Sequence, residues 1–113
     1  RDADNADLAV QMTGASAAVL PSLAVLQQNY PNPFNPRTTL AFSLPDSRHV
    51  SLAVYGLDGT RVATLVSGRL EAGRHEVIWA GVDEAGQPVA AGTYFARIQA
   101  GDFRQIRKMV LVK

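Results

Sequence analysis

The side chains able to do covalent chemistry are sparse in this chain. It has two histidines, His49 and His75, set on separate strand-like segments. It has no cysteine, which excludes a thiol nucleophile, a disulfide framework and a thiolate zinc site together. No serine sits in a Gly-x-Ser-x-Gly elbow. Glu71, Glu76, Asp83 and Glu84 could in principle supply a glycosidase-type acid and base. They fall at hairpin ends or on a charged strand face, where solvated carboxylates are ordinary. We assign no catalytic residue and expect no enzyme activity.

Two acidic clusters raise the question of calcium. Asp2, Asp4 and Asp7 begin like a calcium loop, but the central glycine and distal glutamate are missing. Asp83-Glu84-Ala85-Gly86 reads as a turn, with Asp83 accepting backbone amides and Gly86 supplying a positive φ. We expect no metal site and no cofactor. Tyr55, Trp79, Tyr94, Phe95 and Phe103 could stack sugars if they formed an exposed row. Parity assigns Trp79 and Tyr94 to the core and leaves Phe95 and Phe103 able to face solvent.

The most distinctive cluster is at the C-terminus. Arg104, Arg107, Lys108 and Lys113 charge the last strand, and Arg97 lies on the strand before it. Net charge is +1, too small to argue for a nucleic-acid partner. That value hides an asymmetry: residues 1–7 carry −2 and residues 97–113 carry +4. Lysines on an edge strand protect it from aggregation, and they are also accessible to a receptor.

The elements that must position these residues are strands. Leu40, Phe42 and Leu44 alternate with Thr39, Ala41 and Ser43; Val50, Leu52 and Val54 alternate with Ser51, Ala53 and Tyr55. Asp58-Gly59 reads as a type I′ hairpin turn into a return strand over 61–67. Further strands fall at 74–80, 93–100 and 103–112, with 22–28 as the first of the set. Seven strands at this spacing predict an all-β antiparallel sandwich. Ahead of it, Pro31, Pro33 and Pro36 make a stiff turning connector through which no helix can pass. Residues 1–25 read as an extended leader, and residues 26–113 as the sandwich. Leu8, Val10 and Met12 alternate with Ala9 and Gln11, so they form a candidate donor strand for an open sheet edge.

One domain fits the 113 residues. The start is acidic and polar, unlike a signal peptide, and Arg1 in place of Met reads as a processed chain or a fragment. No apolar run approaches the ~20 residues of a membrane-spanning helix.

The string Asn29-Tyr30-Pro31-Asn32-Pro33-Phe34-Asn35-Pro36, with Thr38 and Phe42-Ser43-Leu44-Pro45, resembles the opening of the type IX secretion C-terminal sorting domain. It is similar also to the Ig-like domain of the flagellar hook-capping protein. Further matches follow in order: Val54-Tyr55, Asp58-Gly59, Trp79, Gly81, Gly86, Gly92-Thr93-Tyr94-Phe95 and Lys108-Met109-Val110-Leu111 with Lys113. The likeness spans 26–113. Departures at Gly56, Thr60 and Ala80 all lie in turns.

The resemblance implies an Ig-like fold and an extracellular or outer-surface location. It implies a non-catalytic module that directs sorting and cell-surface attachment of a secreted protein. Its partners would be the secretion and attachment machinery. Lys108, Met109, Val110, Leu111, Val112 and Lys113 would be the recognised strand, and Gly92 a turn position. Two alternatives stand beside it. One is a structural subunit of a filament or surface layer that self-assembles through the N-terminal strand. The other is a carbohydrate-binding accessory module.

Overall fold

The computed structural model describes residues 23–113. Residues 1–22 of the leader, with the candidate donor residues Leu8, Val10 and Met12, lie outside the described residues, while Val25 already belongs to the first strand.

Seven strands form two antiparallel sheets, the Ig-like sandwich. In chain order they are β1 (Val25–Leu26), β2 (Thr38–Leu44), β3 (Arg48–Gly56), β4 (Arg61–Leu70), β5 (Gly73–Trp79), β6 (Gly92–Ala100) and β7 (Phe103–Leu111). One sheet runs β1-β2-β5 and the other β4-β3-β6-β7. No helix occurs among the described residues, and none is long and apolar enough to cross a membrane.

Period-two alternation builds both layers, because successive side chains of a strand face opposite sides of its sheet. Leu40, Phe42 and Leu44 of one sheet meet Val50, Leu52, Val54, Ala96 and Ile98 of the other, all buried. Met109 and Leu111 complete that core from the last strand. Its aromatic centre is Trp79, which contacts Phe34 (ring centroids 5.7 Å apart, tilted) and Tyr94 (5.3 Å, edge-on). The Trp79 Nε1–H donates to Val82 O at 2.8 Å, so the buried indole keeps its hydrogen bond.

Tyr94 adds a second Ig-like feature. It lies near the start of β6 and donates its hydroxyl to Ala90 O, four residues back, at 2.6 Å. This is the tyrosine corner of Ig sandwiches. Burial pushes the phenol pKa up.

Three local features differ from the sequence expectation. The first strand is only Val25–Leu26, because the chain soon turns into the proline segment and keeps a single further bridge, Tyr30 with Thr39. The β3–β4 turn is not a two-residue type I′ loop. Gly59 N–H donates to Gly56 O at 3.0 Å and Gly56 N–H to Thr60 O at 2.9 Å, which makes Leu57, Asp58 and Gly59 a three-residue loop. Gly59 takes the left-handed position (φ 87°), and Asp58 Oδ1 accepts the Thr60 amide at 3.0 Å. That bond holds the Asp58 carboxyl below its ordinary pKa. The third feature is a pair of register shifts in β4, which leave Val62 and Leu65 without partners on β3; such bulges strengthen local twist.

Candidate functional site

The terminal strand and the proline segment form one unit. On one side, β7 pairs with β6 from Ala100↔Phe103 to Gly92↔Leu111. On the other, the Val110 N–H donates to Asn32 Oδ1 at 2.9 Å and its carbonyl accepts from Phe34 N–H at 2.9 Å. Val112 N–H then donates to Phe34 O at 2.9 Å. Gln28 Nε2 donates to Lys108 O at 2.7 Å. The edge of the terminal strand is therefore covered by residues 28–34, and both sides of its backbone are occupied.

The segment that covers it is itself pinned. Asn29 is buried (2% exposed) and donates through Nδ2 to Thr38 Oγ1 at 2.9 Å and Pro31 O at 3.1 Å. Thr38 Oγ1 donates to Pro31 O at 2.8 Å. A buried polar pair of this kind is tolerable only when its groups find partners. Phe34 inserts its ring beside Trp79. Gly81 (φ 72°) closes the far end: a Cβ there would lie 3.1 Å from Pro36 O. Farther along β7, Leu26 N–H donates to Gln105 Oε1 and Arg107 Nε donates to Leu26 O, each at 2.9 Å. These side chains sew the short β1 to the last strand.

The candidate recognition residues divide by face. Met109 and Leu111 are core. Val110 is half-buried, while Lys108, Val112 and Lys113 are exposed. A partner approaching the folded domain meets the two lysines and Val112, not the whole segment.

The other singled-out residues fall as follows. Pro31, Pro33 and Pro36 are exposed along the covering segment. Gly86 (φ 81°) donates its amide to Asp83 O, while Asp83 Oδ1 accepts the amides of Ala85 and Gln87. Gly92 (φ 150°) opens β6. His75 stacks on Phe42 (5.3 Å) and its Nε2 lies 2.8 Å from Glu71 O. His49 is exposed on β3. Glu76 pairs with Arg74, and Glu84 with Arg61. Among the described residues no group of three or more ligating side chains converges on a metal position. Phe103 packs against the core, so Tyr55 and Phe95 are the two aromatics left on the outward face of the larger sheet.

The pairing of Asn32 with Val110 and of Gln28 with Lys108 was absent from the sequence reading. Its signal is present: amide side chains beside prolines must find partners, and the last strand needed an edge cover.

The fold and the clamp define an Ig-like sandwich module. The chain belongs to the FlgD Ig-like domain family, whose model matches residues 34–102. No curated protein matches the sequence. Solved structures share the fold, among them the following three. Dimeric latent PorU from Porphyromonas gingivalis matches at 18% identity and TM-score 0.61, over 79% of this chain and 9% of PorU. FlgD from P. aeruginosa matches at 22% identity and TM-score 0.53, over 77% of this chain and 68% of that one. PorZ, an essential bacterial surface component of the type IX secretion system of P. gingivalis, matches at 18% and 0.52, over 89% of this chain and 13% of PorZ. This chain thus spans a small part of PorU and of PorZ.

Proposed function

We propose that the domain is a non-catalytic sorting and surface-attachment module of a secreted bacterial protein. Its terminal strand is read by type IX secretion machinery, and it works outside the cell or on the outer surface. The observation that carries this reading is the exposed Lys108 on a strand held on both sides, with Lys113 exposed two residues past the strand's end. Fold likeness to PorU and PorZ supports it. A rigid strand presents its charges in fixed positions, so recognition spends less entropy on ordering the signal.

Deleting the last six residues is a poor test, because it also removes Met109 and Leu111 from the core. Lys108→Ala with Lys113→Ala keeps the core. Fused behind a reporter in a type IX-competent cell, this double variant is expected to hold the reporter inside, while its melting temperature stays unchanged. Full export of the folded double variant would overturn the reading.

A structural subunit joined by strand exchange is a second reading, favoured by β4. That edge strand carries no charged side chain from Val62 to Gly68. Among the described residues, its outer side takes one backbone bond, Glu84 N–H to Val62 O at 3.1 Å. Edges are usually blunted by charge, and a bare one accepts an added strand. Leu8, Val10 and Met12 would donate it. Light scattering over a concentration series tests this: association lost with Leu8→Ser/Val10→Ser supports exchange, and a strict monomer throughout removes it.

A further inference from the structure

The outward face of the larger sheet carries a pattern that the core does not require and of which the sorting reading uses Lys108 alone. Cross-strand register sets three rows on it. Tyr55 lies beside Phe95 and Phe95 beside Lys108. Ala53 lies beside Arg97 and Arg97 beside Ile106. Ser51 lies beside Gln99 and Gln99 beside Arg104. Along β6 the face reads Phe95, Arg97, Gln99, and along β7 it reads Lys108, Ile106, Arg104. In the block of Phe95, Arg97, Ile106 and Lys108, apolar and cationic side chains therefore alternate both along the two strands and across them.

Ile106 is 58% exposed, and Leu57, from the adjoining turn, is 77% exposed. With Tyr55, Phe95 and Arg97 they line a depression of about 430 Å³. Strands β3, β6 and β7 contain no Asp or Glu. Arg97, Arg104 and Lys108 have no ion-pair partner among the described residues, where the pairs are Arg48–Asp46, Arg61–Glu84 and Arg74–Glu76. An apolar depression flanked by three cations that no described carboxylate answers has a defined complement.

We propose that this face docks an extended, acidic segment of a partner protein in which carboxylates and aliphatic side chains take turns at every second residue, so that both lie on one face. The spacing carries the choice of ligand. Same-face residues of a strand lie ~6.6 Å apart, twice the ~3.3 Å rise per residue. A ligand in β conformation presents its own same-face side chains at that interval, so an aliphatic group on Phe95 sets the next same-face side chain, a carboxylate, at Arg97. A sugar polymer fits less well. The polar side chains lining the depression are Tyr55 and Arg97 alone, too few to read hydroxyls. A second copy of this same face would set cations against cations.

The proposal shares Lys108 with the sorting reading but is tested through Phe95 and Arg97, which that reading does not use, so either can fail without the other. The test uses the full chain and a short fluorescein-labelled peptide of repeating Val-Ser-Glu-Ser, which sets Val and Glu in turn on one face, followed by fluorescence anisotropy at low and high salt. A Val-Ser-Lys-Ser peptide is the sign control, and polygalacturonate is the competing polyanion. Phe95→Thr and Arg97→Glu are the variants, chosen because both side chains lie off the core; melting curves check their fold. The expected result is binding of the Val-Ser-Glu-Ser peptide alone, weakened by salt and by about tenfold or more in either variant. Binding unchanged in both variants, no binding, or tighter Phe95-dependent binding of polygalacturonate would overturn the proposal.

Discussion

Asn32 and Val110, 78 positions apart in sequence, are joined by one hydrogen bond of 2.9 Å from the Val110 amide to the Asn32 side-chain carbonyl. Together with the Phe34 pairing it closes the outer edge of the last strand. Asn32→Ala removes the acceptor and leaves the clamp to Phe34 and Gln28. The expected cost is about 1 kcal/mol, the usual worth of one such bond. Hydrogen exchange resolved by residue should show faster exchange at Val110 while Tyr94 and Ile98 stay protected.

Phe34 anchors the proline segment through its ring. Phe34→Ala should cost about 3–5 kcal/mol, because it leaves a cavity beside Trp79. Chemical denaturation followed by Trp79 fluorescence measures it, and Phe34→Leu should recover much of the loss.

Gly81 combines a left-handed backbone with a close approach. Gly81→Ala places a Cβ 3.1 Å from Pro36 O at φ 72° and should destabilise by about 1–3 kcal/mol. Gly86→Ala, also left-handed but with open space around it, should cost less in the same denaturation assay.

Tyr94 gives a pH dependence with a definite sign. Its folded pKa is raised by burial, so the fold favours the neutral phenol. The stability it contributes is present below the unfolded value of ~10 and is lost as pH rises through the folded pKa. Melting temperature should therefore fall above pH ~10. Tyr94→Phe should flatten that limb while costing about 0.5–1.5 kcal/mol at neutral pH, from the lost bond to Ala90 O.

Asp58 has the opposite sign. The Thr60 amide lowers its pKa, so its contribution is present above ~3.9 and is lost as pH falls through the folded value. Asp58→Asn should weaken the acid limb of the stability curve, read by thermal melts between mild and strong acid.

The sandwich was legible because a buried strand face must alternate. Leu40, Phe42, Leu44 and Val50, Leu52, Val54 state that directly, and all six are buried. The turn after β3 was legible as a turn but not in its type. Asp-Gly fits several loops, and the choice is made by which residue bonds to Gly56. The proline string was readable as a stiff connector. Its role as the cover of β7 was not, because that role depends on contacts across most of the chain between Asn32 and Val110. The checkerboard of Phe95, Arg97, Ile106 and Lys108 was hidden for the same reason: each strand shows only half of it, and register supplies the rest.

The central claim is that the terminal lysines are read from a folded, clamped strand. Export of a reporter carrying the full chain tests it most directly, with Lys108→Ala/Lys113→Ala compared against Asn32→Ala. The account predicts that the double lysine variant stays inside at unchanged melting temperature, while Asn32→Ala is exported no better than the parent chain. Better export of Asn32→Ala, with the lysine variant exported normally, would mean that the signal is read as a released tail and would contradict the account.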